Sequence, residues 1–302
     1  MGRTKVVVVG LGNVGRGAAD AVAASPDFEL SAIVRRQAPQ GDVAHGSTWE
    51  APIVTSVEQA KGAAAAMVCL PSRLCHGAEV ELLRKGISTV DSFDIHGEAL
   101  LVHRDTLASA AREGNSVAVI GAGWDPGADS MVRCLMEAMA PAGVTYTNFG
   151  PGMSMGHSVA ARSVAGVADA VSVTLPAGLG IHKRAVYVQL DGTRPFESVC
   201  ADITSDPYFI HDDTKVIHVD STASVRDTGH GVTMYRTGTS GSTGNQQMEW
   251  KLRIVNPAAT GQMMLSSLRA GLRQKPGAYT VAELPPAHML PGNVCDVVRR
   301  LV

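Results

Sequence analysis

The feature that most restricts the fold is a regular alternation of short apolar runs and longer helix-compatible segments between Lys5 and Ile120. Short runs rich in β-branched residues predict strands that are buried on both faces. With helices between them, this order predicts a parallel sheet covered on both sides. The predicted strands are 6–9, 29–34, 66–70, 88–90 and 117–120, and the predicted helices include 15–24, 75–85 and 98–113.

A glycine-rich turn follows the first predicted strand. Gly10, Gly12 and Gly15 have the spacing G-x-G-x-x-G, with Asn13 and Val14 between them. Such glycines permit a tight turn and a close approach of pyrophosphate, and the next helix directs its N-terminus at the phosphates. Because the turn lies between a strand and an Ala-rich helix, these five residues predict a dinucleotide site.

The end of the second predicted strand indicates which dinucleotide is bound. An NAD enzyme usually carries an acid there to hold the ribose 2′-hydroxyl. This chain has Arg35 and Arg36 instead. Two guanidinium groups suit a 2′-phosphate, so we predict NADP as the cofactor, with a solvated basic turn as the alternative.

The ends of the next two strands supply further candidates, because strand ends share one edge of a parallel sheet. Asp94 follows the fourth predicted strand, where a carboxylate beside the nicotinamide would accept a proton from an amine. The alternative is that Asp94 caps the helix at 98 or forms a turn. We predict cofactor contacts from Leu70, Pro71, Ser72, Asp91 and Ser92.

The segment 121–130 reads GAGWDPGADS and precedes an apolar pattern with helical spacing. A helix with Asp125 at its N-cap and Pro126 at its first position would explain both residues on structural grounds alone. This explanation is compatible with a ligand role for Asp125. An acid at a helix N-terminus is stabilised as the anion, so it suits an ammonium group but is a weak base. Trp124 is left unexplained by capping.

Beyond the predicted sheet, one glycine-rich motif and three single residues are weaker candidates for a functional role. Residues 152–156 read GMSMG and formally match a hydrolase nucleophile motif, but Pro151 argues against the strand that this motif requires. A loop that offers backbone N–H groups to an anion suits the glycines better. Arg184, His230 and Asn256 are individually more typical of structural or solvated positions. The chain lacks the usual metal-binding spacings, so we predict no metal.

Composition excludes several classes of partner. The net charge is −2 and no Lys/Arg run is present, which argues against nucleic acid. Five cysteines without a C-x-x-C pair favour reduced thiols and a cytoplasmic protein. The apolar opening VVVVG is too short for a signal peptide or a membrane span. We therefore expect a soluble protein that acts on a small molecule.

Taken together, six segments resemble the meso-2,6-diaminopimelate dehydrogenase family. They are GLGNVGR, VDSFD, GWDPG, NFGPGMSMGHS, HKR and NPA, and they extend from the N-terminus to near the C-terminus. The resemblance implies NADP-dependent, reversible deamination of the D-centre of meso-2,6-diaminopimelate to L-2-amino-6-oxopimelate and ammonia. The reverse reaction would serve the synthesis of lysine and cell-wall precursors.

The resemblance also implies an α/β fold with a Rossmann-like, doubly wound parallel sheet and an α+β substrate-binding and dimerisation domain. The dinucleotide-binding domain would span 1–123 and the substrate-binding and dimerisation region 124–280. A C-terminal segment, 281–302, would return to the first domain. The family is homodimeric.

The resemblance implies roles for individual residues. Asp94 and Asp125 would contact the reacting amine beside Trp124, with Asp94 as the expected proton acceptor and Asp125 the weaker candidate. Arg35 and Arg36 match the family's 2′-phosphate site. Phe149, Met155 and Gly156 would line the same pocket and bind the D-centre carboxylate, whereas Thr174, Arg184, His230 and Asn256 would hold the distal end of the substrate.

One departure concerns specificity. The connection at 176–184 is short, as in a branch of the family whose members also accept other 2-keto acids. We therefore expect activity on other D-amino acids. The alternatives are a different two-domain NADP oxidoreductase, of the dihydrodipicolinate-reductase type, or a non-catalytic NADPH-sensing regulator. An aspartate-semialdehyde-dehydrogenase type is disfavoured because Cys134 falls inside a predicted helix.

Overall fold

The computed structural model describes residues 2–37, 41–94, 97–226 and 229–302. It forms two compact units, which we call unit 1 (Met1–Cys134 with Asn256–Val302) and unit 2 (Leu135–Val255). Its strands are β1 (Thr4–Val9), β2 (Phe28–Val34), β3 (Val43–His45), β4 (Glu50–Val54), β5 (Ala65–Val68), β6 (Ser88–Asp91), β7 (Val117–Ile120), β8 (Ala142–Phe149), β9 (Gly152–Ser154), β10 (Val167–Gly178), β11 (Ile181–Leu190), β12 (Asp213–His218), β13 (His230–Ser240), β14 (Thr243–Ile254) and β15 (Gly277–Thr280).

The α-helices alternate with the strands in the first part of the chain and are sparser afterwards. They are α1 (Asn13–Ala24), α2 (Ser72–Arg84), α3 (Glu98–Glu113), α4 (Ala128–Met139), α5 (Met155–Arg162), α6 (Phe196–Ser205), α7 (Asn256–Gly271) and α8 (Val294–Leu301). Among the described residues, no helix combines the length and the apolarity that a membrane crossing requires.

Unit 1 contains an eight-stranded sheet in the order β15-β7-β6-β5-β1-β2-β4-β3. All pairs are parallel except β3 with β4. The chain winds outward from β1 in both directions, so the point beside β1 is the switch point at which doubly wound sheets bind ligands. The predicted α/β class, with a Rossmann-like sheet, is confirmed.

Successive residues of β1 are buried against opposite layers of helices. Val6 and Val8 belong to a core cluster with residues of α1 and α7, whereas Val7 and Val9 cluster with residues of α2. Side chains alternate between the faces of a strand, so a strand covered on both sides must be apolar throughout. This explains why the run VVVV predicted its position correctly.

The predicted elements of unit 1 agree closely with the observed ones. The strand at 117–120 and the helix at 98–113 have the predicted bounds, and each bound of the other two predicted helices and four predicted strands differs by three residues or fewer. The sequence reading missed β3, β4 and β15. These are short strands, β3 and β15 at the two edges of the sheet and β4 next to β3. β4 contains Pro52 and β15 contains Gly277, both residue types that weaken the strand signal.

Unit 2 contains two smaller sheets. One has the order β12-β11-β10-β9, and the other has the order β14-β13-β8. Helices α5 and α6 cover the first sheet, where Ala161, Val186, Val199 and Phe209 form part of a buried cluster. This is the α+β architecture expected for the second domain.

The boundaries between the units differ from the predicted ones. The residues from Asn256 onward belong to unit 1, and so do residues 124–134. One physical reason is that Arg269 of α7 forms a bidentate ion pair with Asp27, with N–O distances of 2.6 and 2.9 Å. The Arg269 side chain also donates to the carbonyl of Met289 at 2.7 Å, which attaches the C-terminal segment.

Helices α1 and α7 pack with almost no space between their backbones. A Cβ atom at Gly261 would lie 2.4 Å from the backbone N of Ala18, and one at Gly17 would lie 2.3 Å from the carbonyl O of Pro257. Backbone atoms cannot rotate away as a side chain can. Glycine at both positions is therefore required for this helix contact.

We predict that Gly261→Ala lowers the free energy of unfolding by about 1–3 kcal/mol, because the methyl group overpacks the α1–α7 contact. The control is Gly77→Ala in α2, where a Cβ atom would meet nothing within 4 Å. That variant should gain about 0.5–1 kcal/mol from helix propensity. Urea unfolding of both variants measures the difference, and equal stabilities would contradict the close-packing explanation.

Candidate active site

The glycine-rich turn after β1 has the geometry of a dinucleotide cradle. Gly10 has a φ of +92°, and a Cβ atom there would lie 2.6 Å from the carbonyl O of Cys69. A Cβ atom at Gly15 would lie 2.1 Å from the carbonyl O of Gly10. By contrast, one at Gly12 would meet nothing within 4 Å, and no side chain of the described residues caps α1. The backbone of the turn is thus open at the helix N-terminus, where Asn13 and Val14 begin the helix.

The two arginines at the end of β2 are exposed. The backbone N–H of Arg35 donates to the carbonyl of Val54 at 2.9 Å, which fixes where the pair leaves the sheet. Within the described ranges, neither guanidinium forms an ion pair with a carboxylate. Arg35 and Arg36 therefore keep their donors for an anion.

The loops after β5 and β6 meet through a hydrogen-bonded pair. The Ser72 hydroxyl donates to Asp94 Oδ1 at 2.5 Å, and the Asp94 backbone N–H donates to the same hydroxyl at 3.2 Å. Asp94 is exposed. The N-cap residue of helix α3 is Gly97. The alternative that Asp94 caps this helix is therefore wrong. Leu70 and Pro71 lead directly into Ser72 at the start of α2.

Asp91 holds the turn that carries Ser92 and Asp94. Its side chain is fully buried, and its Oδ1 accepts hydrogen bonds from the backbone N–H groups of Phe93 at 2.9 Å and Gly121 at 2.7 Å. Its Oδ2 lies 3.1 Å from His103 Nε2. Because the side chain is enclosed, it influences the site through the turn that it positions.

His103 connects Asp91 to a second buried acid. Glu79 Oε2 lies 3.3 Å from His103 Nε2. Burial opposes protonation of His103, but Asp91 and Glu79 outweigh it and raise its pKa to about 9. Burial and the charge of Asp91 raise the pKa of Glu79 well above its ordinary value. Among the described residues, one group of side chains has possible ligand atoms close enough to one another to hold a metal ion, namely Glu79, Asp91 and His103. The same distances suit a His–carboxylate network, so the absence of a metal stays a prediction.

Asp125 does not cap α4 as predicted. The helix begins at Ala128, because Gly127 has a φ of +135° that is incompatible with a helix. The Asp125 carboxylate instead accepts a hydrogen bond from Arg133 Nη1 at 2.8 Å. Trp124 is buried, with 7% of its surface exposed. Asp125 is thus the acid of an ion pair, placed next to a covered indole.

Asp129 was missed by the sequence reading. It is fully buried, and neither of its carboxylate oxygens has a hydrogen-bond partner among the described residues. Burial and the negative charge of Asp125 raise its pKa to about 7, with Arg133 opposing the shift. The spacing of four residues between Asp129 and Arg133 on α4 was the available signal, since residues four apart share a helix face.

In unit 2, Arg184 lies on β11 directly opposite Thr174 on β10. Its Nη1 donates to Thr174 Oγ1 at 2.8 Å, and its Nε donates to Asp212 Oδ2. The guanidinium group is mostly buried. Asp212 was not predicted, because it lies in the segment before β12, 28 residues along the chain.

Other predicted residues gather around Thr174. Gly152 on β9 pairs with Thr174, and a Cβ atom at Gly152 would lie 2.5 Å from His230 Cα. The backbone N–H of Phe149 donates to His182 Nε2 at 2.8 Å, and the two rings are tilted with centroids 5.4 Å apart. Four segments that are distant in the sequence therefore converge within unit 2.

The GMSMG motif has a different setting from the predicted one. Ser154 ends strand β9, and Met155 and Gly156 begin helix α5, so the expectation that Pro151 prevents a strand was wrong. Pro151 lies just outside the strand. The backbone at Ser154 is extended, with φ −88° and ψ 117°, and so lacks the strained turn of a hydrolase nucleophile.

His157 is the second residue of unit 2 that the sequence reading missed. Its Nδ1 lies 2.9 Å from Ser154 Oγ, and its Nε2 lies 3.9 Å from Asp212 Oδ2. Burial and the charge of Arg184 lower its pKa to about 4. The imidazole is therefore neutral near pH 7. Asn256, by contrast, opens α7 in unit 1, where its Oδ1 accepts from Thr260 Oγ1 at 2.9 Å.

These features define a class of protein: a Rossmann-type dinucleotide-binding unit joined in the chain to an α+β unit with a buried arginine. Residues 123–183 match the family model of the diaminopimelic acid dehydrogenase C-terminal domain. Over 302 residues, the chain is 44% identical to the meso-diaminopimelate D-dehydrogenase of Bacteroides fragilis, with 100% of both chains covered. The chain therefore belongs to the meso-diaminopimelate D-dehydrogenase family.

Two solved structures agree with this assignment. The Corynebacterium glutamicum diaminopimelate dehydrogenase in complex with diaminopimelate has a TM-score of 0.88 and 30% identity, and 100% of each chain is covered. An engineered D-amino acid dehydrogenase bound to NADP+ has a TM-score of 0.85 and 29% identity, with 99% of this chain and 100% of that chain covered. The likeness thus extends over both units.

We predict that Asp129→Asn changes how stability depends on pH. The folded chain keeps a proton on Asp129 that the unfolded chain releases above its ordinary pKa of 3.8. The free energy of unfolding of the wild type should therefore fall between about pH 4 and pH 7, by at most about 1.4 kcal/mol per pH unit. Asn cannot ionise, so the stability of the variant relative to the wild type should increase over this window.

Urea unfolding at several pH values measures this difference. Asp105→Asn is the control, because the Asp105 side chain is 82% exposed and should give no such trend. A difference between wild type and Asp129→Asn that stays constant with pH would contradict the assignment of a buried, neutral acid.

Proposed function

We propose that the protein catalyses the NADP-dependent, reversible deamination of the D-centre of meso-2,6-diaminopimelate, giving L-2-amino-6-oxopimelate and ammonia. The observation that carries this proposal is the full-length 44% identity to the meso-diaminopimelate D-dehydrogenase of Bacteroides fragilis. The open glycine turn and the arginine at Thr174 support it. The reaction class is that of an oxidoreductase acting on CH–NH2 groups.

NADP would be held by the edge of the unit 1 sheet. The turn Gly10–Gly15 would bind the pyrophosphate with its backbone N–H groups, and the exposed Arg35 and Arg36 would bind the 2′-phosphate. The nicotinamide would be bordered by the strand-end residues Leu70, Pro71, Ser72 and Ser92, and the buried Asp91 would hold the turn that carries Ser92. Bound there, NADP would accept the hydride, and the protein would supply orientation and electrostatics.

Asp94 is the proposed proton acceptor. An amine must be neutral before its carbon can release a hydride, so a carboxylate within hydrogen-bond reach of the ammonium is needed. The Ser72 hydroxyl occupies Asp94 Oδ1, which leaves Oδ2 for the amine. Since Asp94 is exposed, it can also pass the proton to solvent. Water then adds to the imine, and ammonia leaves.

Asp125 is proposed to orient the ammonium group. Its carboxylate forms an ion pair with Arg133, with an N–O distance of 2.8 Å, which fixes its orientation and suits it to anchor a cation. Trp124 would form the apolar wall beside it. This division of roles follows from the partners of the two acids.

The carboxylates of the substrate would be bound by unit 2. The backbone N–H groups of Met155 and Gly156 at the start of α5 suit the D-centre carboxylate, with Phe149 lining the pocket. Arg184 and Thr174 suit the distal carboxylate, since a guanidinium binds a carboxylate with two parallel hydrogen bonds. His230 and Asn256 are proposed to contact the same distal end.

The biological setting is also a proposal. The reductive direction would provide meso-diaminopimelate for lysine and cell-wall synthesis, and five free cysteines are in keeping with the cytoplasm. We propose a homodimer. Exposed apolar side chains of unit 2, among them Leu135, Met139, Val144 and Trp250, are candidates for its interface. The short 176–184 connection supports activity on other D-amino acids.

We predict that the purified protein reduces NADP in the presence of meso-diaminopimelate, and much more slowly with LL-diaminopimelate, which lacks a D-centre. NAD should be a poor substitute, because it has no 2′-phosphate for Arg35 and Arg36. A spectrophotometric panel with both cofactors, meso-, LL- and DD-diaminopimelate and simple D-amino acids measures this. NADPH binding without any turnover would favour a sensing regulator, and activity only on dihydrodipicolinate-like substrates would favour the reductase alternative.

We predict that Asp94→Asn lowers kcat by about 10²–10⁴-fold, since the amide cannot accept the proton. NADPH affinity, measured by fluorescence titration, should stay unchanged. Ser72→Ala is the companion variant, because it removes the hydrogen-bond donor and keeps the carboxylate. It should cost much less activity than Asp94→Asn. Equal losses in the two variants, or full activity of Asp94→Asn, would remove Asp94 from the proton-transfer step.

A further inference from the structure

We propose that Asp212 is a positioning residue that sets specificity for substrates with a distal carboxylate. It would act by orienting the guanidinium of Arg184. The inference rests on the proposed function, in which Arg184 binds that carboxylate. Nothing in the family motifs pointed to Asp212, and the contacts within unit 2 carry the assignment.

The first observation is how the guanidinium of Arg184 is held. Its Nε donates to Asp212, and its Nη1 donates to Thr174 Oγ1 at 2.8 Å. Two of its three nitrogens are therefore fixed by the protein. A guanidinium has five N–H donors in a rigid plane. The three that remain, one on Nη1 and two on Nη2, are the donors that a substrate carboxylate can use.

The second observation concerns burial and charge. Only 12% of the Arg184 side chain and 25% of the Asp212 side chain are exposed. A buried guanidinium without a counter-ion is unfavourable, so it would turn toward solvent in the absence of a partner. His157 lies nearby, with its Nε2 3.9 Å from Asp212 Oδ2, but it cannot replace Asp212 because an imidazole carries no negative charge in either protonation state. Asp212 is therefore the acid that keeps Arg184 in place.

The third observation concerns the ion pair of the neighbouring residue Asp213, which serves as a control for that of Asp212. Strands β11 and β12 run parallel, and Asp213 pairs with Lys183 in the register. Asp213 Oδ2 lies 2.9 Å from Lys183 Nζ, with side chains that are 69% and 57% exposed. The same chemistry thus occurs twice in adjacent residues, once buried at Arg184 and once at the surface. A surface ion pair of this kind contributes little to stability.

The experiment compares Asp212→Ala with Asp213→Ala on two substrates. One is meso-diaminopimelate, and the other is D-norleucine, which has the reacting centre but no distal carboxylate. Asp212→Ala should raise KM for meso-diaminopimelate about 10- to 100-fold with a small change in kcat. KM for D-norleucine should stay the same. Asp213→Ala should leave both substrates unchanged. Asp212→Asn retains an acceptor for Nε but not the negative charge, so it should recover only part of the affinity.

A second measurement keeps the test independent of activity on D-norleucine. In an Arg184→Gln background, Asp212→Ala should have no further effect on KM for meso-diaminopimelate, because Asp212 acts through the arginine. Additive effects would overturn the proposal. A KM that is unchanged or lower in Asp212→Ala, or an equal loss with both substrates, would also overturn it. A wild type inactive on every form of diaminopimelate would instead refute the proposed function, which separates the two failures.

Discussion

The hydrogen bonds of Asp91 determine where the other parts of the unit 1 site lie. This buried carboxylate ends β6 and accepts hydrogen bonds from the backbone N–H groups of Phe93 and Gly121. It thereby joins the turn that carries Asp94 to the segment that leads into Trp124 and Asp125. Both proposed amine contacts are thus attached to one acid. The cationic partner, His103, compensates its charge inside the unit, without which a buried carboxylate would be costly.

Much of unit 1 was predictable from the sequence because its physical signals are local. A strand buried on both faces must be apolar, as Val6–Val9 are, and a dinucleotide turn must have glycine where backbones nearly touch, as at Gly10 and Gly15. Burial and steric exclusion restrict which residue types are possible at individual positions, so they can be recognised in the sequence. Short edge strands such as β15 have weaker requirements and were missed.

Two residues that sequence reasoning missed, Asp212 and His103, pair with residues from other elements of the fold. Asp212 meets Arg184 across 28 residues, and His103 on α3 meets Asp91 at the end of β6. A charged residue reads as a solvated position unless its partner is known. Asp125 was misread for a related reason: the letters DPG fit a helix N-cap, but the φ of Gly127 delays the helix to Ala128. Such features depend on the conformation of the backbone and on where folding places the partner residue.

The partners of the charged groups account for the roles that the proposed reaction assigns them. Asp125 has Arg133 as a resident counter-ion, and Arg184 has Asp212, so each of these groups is held in one orientation by an opposite charge. Asp94 differs, because its side-chain partner among the described residues is the Ser72 hydroxyl. A carboxylate that is positioned by a neutral donor and exposed to water can both accept a proton and release it. The same physical difference therefore separates the groups that hold the substrate from the group that carries out the proton transfer.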